Sequence, residues 1–180
     1  MVVVILRGFT AKTSPINVAV VTTEGINEAK VNVKTVSITT LDAEKAFDKL
    51  VHNILFWKLY HYNKDDDAWI VIRMLQTEAT TVVKWKGKFS TGILAQRDIR
   101  QGAKLSPTLY KSYNNQLLDV LRDNNIGTKI GTTFIGCPTV SDDIALISYH
   151  PEDLQHALHI VHNETRRARL PLTQQKVMLL

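Results

Sequence analysis

Thr139-Val140-Ser141-Asp142-Asp143-Ile144-Ala145-Leu146-Ile147-Ser148 is the stretch on which the reading of this chain turns. It consists of two apolar, strand-like runs joined by a pair of aspartates. A two-residue hairpin loop normally takes Asn-Gly, Asp-Gly or another glycine pair, because its backbone must visit positive φ. Asp-Asp is a poor choice there on structural grounds, and a local rule broken inside a consistent pattern points to function. Two adjacent carboxylates at a loop tip repel each other, and a hard divalent cation with oxygen ligands relieves that repulsion. The competing reading is a plain polar turn.

Asp42 shifts the balance. Residues 34–41, KTVSITTL, are rich in β-branched types and read as a strand that ends at Asp42. A sheet that sets the two strand ends side by side brings Asp42, Asp142 and Asp143 to one edge. Magnesium keeps several waters and takes one or two carboxylates plus substrate phosphates, which such an edge supplies. Two ions roughly 4 Å apart would clamp the attacking and leaving oxygens of an in-line phosphoryl displacement. Nucleotidyl transfer is the chemistry this pattern suits, and whether the carboxylates meet is left to the fold.

Outward from these residues, Ser14-Pro15 signals a capped helix running to about Val31. Helices are predicted at His52 to Tyr62 and Asp66 to Gln76, the second opened by Asp65-Asp66-Asp67. That triplet suits the positive end of a helix dipole and reads as a solvated start, since consecutive side chains diverge on a helix. Residues 80–85 and 88–97 look like two strands turned at Gly87. Ser106-Pro107 repeats the cap-then-proline signal, with Leu109, Tyr113, Leu117 and Leu121 on one helical face. Gly127, Gly131 and Gly136 divide short strand-like pieces. From Pro151 a last helix carries Leu154, Leu158 and Val161 and closes on Arg166, Arg167 and Arg169, which compensate the dipole or grip phosphates. Strands and helices mix without regular alternation, which predicts an α+β fold with an antiparallel sheet flanked by helices. With no repeat and no linker, residues 1–180 are expected to form one domain.

Composition bounds the function classes. The chain has 180 residues, 44% hydrophobic and 22% charged, enough for one sizeable core. A formal charge of +5 and a pI near 9.3 favour a polyanionic partner only slightly. Cys137 is the sole cysteine, which excludes an intrachain disulfide and a cysteine zinc site and predicts an intracellular protein. The apolar run Met1 to Leu6 is too short for a signal-peptide core. No stretch approaches the ~20 apolar residues needed to span a bilayer, so no membrane partner is expected.

Six segments in order resemble the reverse transcriptases of non-LTR (LINE-type) retrotransposons, including the jockey-like elements. They are RGFTAKTSP, LDAEKAFDKLVHNILFWKL, VKWKGKFS, IRQGAKLSPTLYKSYNNQLLDVL, IGTTFIGCPTVSDDIALIS and LPLTQQKVMLL. The resemblance implies a polymerase palm with part of the fingers and no thumb. LDAEKAFD resembles the family's first palm motif, which makes Asp42 a metal ligand and the carbonyl of Ala43 a further oxygen. Phe47 then falls at the bulky position that crowds a ribose 2′-hydroxyl and favours deoxynucleotides; the plainer reading is a core aromatic. In IRQGAKLSP, Gln101 and Gly102 would contact the incoming nucleotide and template. VSDD would supply Asp142 as the second shared metal ligand with Asp143 as its partner, although Val140 and Ser141 depart from the commonest spelling. Lys176 of LPLTQQKVMLL takes the place of a lysine that protonates the pyrophosphate leaving group, with Thr173 where asparagine is frequent.

The implied activity is RNA-directed DNA synthesis using two Mg2+ ions, with Mn2+ as a substitute. The implied partners are an RNA template, a DNA primer and deoxynucleoside triphosphates. Against the family pattern the chain is expected to be truncated at both ends, with fingers and thumb segments supplied by another chain. Two other readings stay open: an RNA-directed RNA polymerase palm, against which Phe47 argues, and an inactive palm-like remnant that binds RNA or protein.

Overall fold

The structure is a computed structural model describing residues 14–32, 34–43, 45–62, 66–77, 79–95, 99, 103–124, 126–140, 142–170 and 172–179. Helix α1 (Pro15–Val31) starts where the sequence predicts, with proline in its first turn. Ser14 is extended and caps through its backbone: its carbonyl accepts the Asn17 and Val18 amides, and its hydroxyl makes no capping bond. Strand β1 (Ser37–Ala43) follows and runs through Asp42 instead of stopping at it. Next come α2 (His52–Tyr62) and α3 (Asp66–Thr77). The two predicted strands beyond them are broken into β2 (Thr80–Thr81), β3 (Lys84–Trp85), β4 (Lys88–Phe89) and β5 (Ile93–Leu94).

Helix α4 (Ser106–Asp123) buries Leu109, Tyr113, Leu117 and Leu121, the face its four-residue spacing predicted. Short pieces β6 (Lys129–Ile130) and β7 (Thr133–Phe134) turn at Gly131, and β8 (Thr139–Val140) leads into β9 (Asp143–Ser148). Helix α5 (Pro151–Arg167) has Glu152 and Asp153 in its first turn and two arginines in its last, so both ends oppose its dipole. Arg167 is tied to Glu164 at 2.5 Å. Strand β10 (Leu172–Leu179) closes the chain; the sequence pattern signalled no strand there.

Two compact units result: residues 1–46 with 114–180, and residues 47–113. The first unit holds a four-stranded antiparallel sheet in the order β10-β1-β9-β8. Side chains alternate across it, so each face has its own core. On one face Leu41, Ile144 and Leu146 pack with Leu117 and Leu121 of α4 and Leu154 and Val161 of α5. On the other, Ile38 and Ile147 pack with Ala29 of α1 and Val36. Cys137 is buried in the first of these cores.

The second unit contains α2 and α3. Trp69 Nε1 of α3 donates to the Phe56 carbonyl of α2 at 2.8 Å. The buried Lys58 ammonium donates to the Tyr113 carbonyl at 2.6 Å and lies over the Tyr113 ring. Among the described residues, no helix is long and apolar enough to cross a membrane.

Candidate active site

Antiparallel pairing decides which residues reach the end of the sheet. Strand β1 runs into Asp42 while β9 starts at Asp143, and their ladder pairs Thr40 with Ala145 and Leu41 with Ile144. The ladder ends there, and the same register carried one step further would set Asp42 opposite Asp143, whose carboxyl feels the Asp42 charge. By alternation both belong to the face that carries Ile38 and Ile147, opposite to Leu41 and Ile144. Strands β8 and β9 pair Val140 with Asp143. Asp143 is therefore the first residue of β9, with Asp142 in the turn before it; the sequence had suggested Asp142-Asp143 as the loop pair. The left-handed non-glycine residues among those described are Lys45, Lys86 and Arg169. Asp142 thus does not carry the positive φ expected of a glycine-preferring turn.

Electrostatics follow from this placement. Asp143 has a carboxyl pKa raised above its ordinary value, first by partial burial, then by the charge of Asp142, then by that of Asp42. The three carboxylates therefore share one end of the sheet and feel one another. Among the described residues no three His, Cys, Asp or Glu side chains enclose a metal-sized site. The carboxylates thus line an open end of the sheet and do not form a closed cage.

The remaining predicted residues are placed less completely. Ala43 ends β1 and is buried. Phe47 lies in the second unit, half-buried, with its ring 5.1 Å from that of Tyr110, which is 1% exposed. Packing thus accounts for part of its environment. Gln101 and Gly102 lie outside the described residues. Lys176 is paired through its backbone with Thr40, two residues before Asp42, and its side chain is outside what is described. Asp65 and the side chain of Asp66 are likewise outside it.

Sequence reading missed one feature beside the carboxylates. A cleft of about 550 Å³ opens between α1 and the sheet, with Val18, Ala19, Thr22 and Thr23 on one wall and Thr40 and Asp143 on the other. The helix residues recur at i, i+1, i+4 and i+5, a spacing that marks one face. Nothing in the strand pattern announced that this face meets Asp143.

Residues 5–180 match the family described as reverse transcriptase (RNA-dependent DNA polymerase). The chain is 32% identical over 136 residues, 74% of its length, to a retrovirus-related Pol polyprotein from type-1 retrotransposable element R2 of Nasonia vitripennis. It is 28% identical over 145 residues, 79% of its length, to one of Popillia japonica. It spans 13% and 20% of those two relatives. Among solved structures, apo telomerase from Candida tropicalis truncated from its C-terminal domain covers 93% of this chain and 35% of its own, with a TM-score of 0.67 at 18% identity. Telomerase from Candida tropicalis in complex with a TWJ fragment of telomeric RNA covers 93% and 29%, with a TM-score of 0.71 at 14% identity. At such identities the likeness is one of fold, and it agrees with the α+β fold expected from the sequence pattern and with the palm that the resemblance implied.

Proposed function

The chain belongs to the reverse transcriptase (RNA-dependent DNA polymerase) family, on its R2-like, non-LTR branch, and from that premise we propose that it performs RNA-directed DNA synthesis, joining a primer 3′-hydroxyl to the α-phosphate of a deoxynucleoside triphosphate. The observation that carries the reading is the register that sets Asp42 and Asp143 side by side, with Asp142 in the adjoining turn.

Divalent metals are general in this family. The chemistry of the donor set suits such an ion: Asp42, Asp142 and Asp143 bring hard carboxylate oxygens to one end of the sheet, where burial first and mutual repulsion second raise the Asp143 pKa. Asp42, Asp142 and Asp143, with the Ala43 carbonyl, would hold Mg2+, or Mn2+ in its place. When bound, the ions favour the deprotonated primer hydroxyl and offset charge growing on the phosphate oxygens. Phe47 excludes the ribose 2′-hydroxyl. Gln101 and Gly102 position the nucleotide against the template. Lys176 gives a proton to the departing pyrophosphate. Most of the acceleration comes from positioning and electrostatics, because phosphoryl transfer asks little covalent chemistry of the protein.

A second reading, a silent palm that binds RNA, is favoured by one observation: the described carboxylates do not close on a metal-sized site. Primer extension on poly(rA)/oligo(dT) with wild type and Asp142→Ala separates the two. Template-dependent synthesis lost in the variant supports catalysis, and no synthesis by either chain overturns it. Incorporation of ribonucleotides in preference to deoxynucleotides would instead make the chain an RNA-directed RNA polymerase.

A further inference from the structure

The ribbon from β2 to β5 carries side chains that the proposed site does not use. At its waist the Ser90 amide donates to the Val83 carbonyl at 2.9 Å, and the Val83 amide donates to Ser90 Oγ at 3.0 Å. Beyond this, Lys84 pairs with Phe89 and Trp85 with Lys88. Lys86 at φ 46° and Gly87 at φ 76° form the two-residue turn, in the conformation whose twist matches its strands.

Directly opposed residues share a face. Each face of the hairpin therefore presents one ring and one ammonium, Lys84 with Phe89 on one side and Trp85 with Lys88 on the other. The Lys84 ammonium sits 5.4 Å from the centroid of the Phe89 ring and covers it. Trp85 is 73% exposed. Every residue from 80 to 94 is exposed, and residues 79–97 include Lys84, Lys86, Lys88 and Arg97 but no Asp or Glu.

Folding does not explain such a surface, since a short two-stranded ribbon gains little by exposing an indole. An open ring flanked by ammonium groups, with no carboxylate in the sequence between Glu78 and Asp98, suits a ligand having both a π-face and a phosphate. An acidic protein would satisfy the lysines and leave the ring unused. A duplex would satisfy them too, but its base faces are already stacked. In the reaction proposed above, the strand with unpaired bases is the RNA not yet copied. We infer that the Trp85–Lys88 face stacks an unpaired base of the template RNA and pairs with its phosphate; this rests on the proposed polymerase reading.

The test is affinity, measured by fluorescence anisotropy in EDTA, for three RNA/DNA hybrids: one blunt, one with an RNA 5′ overhang and one with a DNA 3′ overhang. Trp85→Ala and Trp85→Leu are expected to weaken binding to the RNA-overhang hybrid about 10-fold, within the range for one stacked base, and to leave the blunt hybrid unchanged. Lys88→Gln is expected to lower the salt slope on the same hybrid by about 0.7. Retained affinity in Trp85→Leu would mean apolar contact without stacking and would overturn the inference. An equal loss on the blunt hybrid, or on the DNA overhang, would overturn it as well. Because binding is read without metal, loss of Trp85 dependence with extension intact sinks this inference alone. Absence of extension with Trp85 dependence intact sinks the polymerase reading alone.

Discussion

Asp143 stands one position before Ile144, the partner of Leu41, and so faces Asp42 across the β1–β9 ladder although 143 − 42 = 101 positions separate them in the chain. Partial burial, then Asp142, then Asp42 raise the Asp143 carboxyl above its ordinary 3.8. The fold thus brings like charges to one end of a sheet, where partial burial first and mutual repulsion second disfavour the Asp143 carboxylate. Such an arrangement costs stability in the metal-free protein, and its sign can be measured.

In EDTA the folded state holds the Asp143 proton more tightly than the unfolded chain does. Its favourable contribution is complete below 3.8 and is lost as pH rises through the raised value. Asp143→Asn stays neutral throughout. It is expected to melt at a higher temperature than wild type at neutral pH, with the difference vanishing below pH 3.8. Solvent screening of this exposed side chain keeps the gain small. Thermal melts across a pH series read it, and a variant less stable than wild type at neutral pH would contradict the repulsion.

Magnesium reverses that sign. A cation bound by the folded state alone stabilises it by about 2.7 kcal/mol at a hundred times its Kd. Wild type is therefore expected to gain several degrees in Tm on titration with MgCl2 at fixed ionic strength. Asp142→Asn, which removes the turn carboxylate, is expected to gain little. Equal gains in both chains would mean that the ion binds elsewhere.

Much of this was legible before folding. The proline-started helices and the four-residue spacing of Leu109, Tyr113, Leu117 and Leu121 follow from local rules, and α1, α4 and α5 occur where those rules put them. Strand β10 was not legible, because Thr173-Gln174-Gln175-Lys176 is polar and lies on an edge strand, which pairs on one side only. Asp143 was assigned to the turn for a related reason. Hydrophobicity marks Ile144 as strand, but only pairing with Val140 extends the strand to Asp143. Likewise the cleft wall of Thr22 and Thr23 depends on which sheet face α1 covers, a tertiary fact with no period in the sequence.

The approach to β9 depends on a contact between two glycines. Gly127 adopts φ +127°, and a Cβ there would lie 2.7 Å from the Gly136 Cα and 3.0 Å from the Ile147 carbonyl oxygen. That close approach lets Thr128 donate to Ile147 and Ile147 donate to Gly136. Gly127→Ala meets backbone, which cannot rotate away, and also carries the cost of a disfavoured φ. A loss of about 2–4 kcal/mol is expected in urea denaturation, with an unchanged m-value. A loss under about 0.5 kcal/mol, the range of ordinary surface substitutions, would show that the loop moves freely on the strand.

Phe47 is asked to do two things, and they separate by substitution. Its ring packs 5.1 Å from that of buried Tyr110, so Phe47→Ala forfeits an aromatic pair worth about 0.5–1.5 kcal/mol along with part of its buried area. If the ring also crowds a ribose 2′-hydroxyl, the same variant admits ribonucleotides, and discrimination for deoxynucleotides in primer extension falls by about 10–100-fold. Phe47→Tyr keeps a ring of the same width and is expected to retain both stability and discrimination. Phe47→Leu keeps apolar volume without ring reach, so it is expected to fold nearly as well as wild type and still lose selectivity. Selectivity that tracks stability across the three variants would assign Phe47 to packing alone, whereas a stable but permissive Phe47→Leu assigns it to the gate.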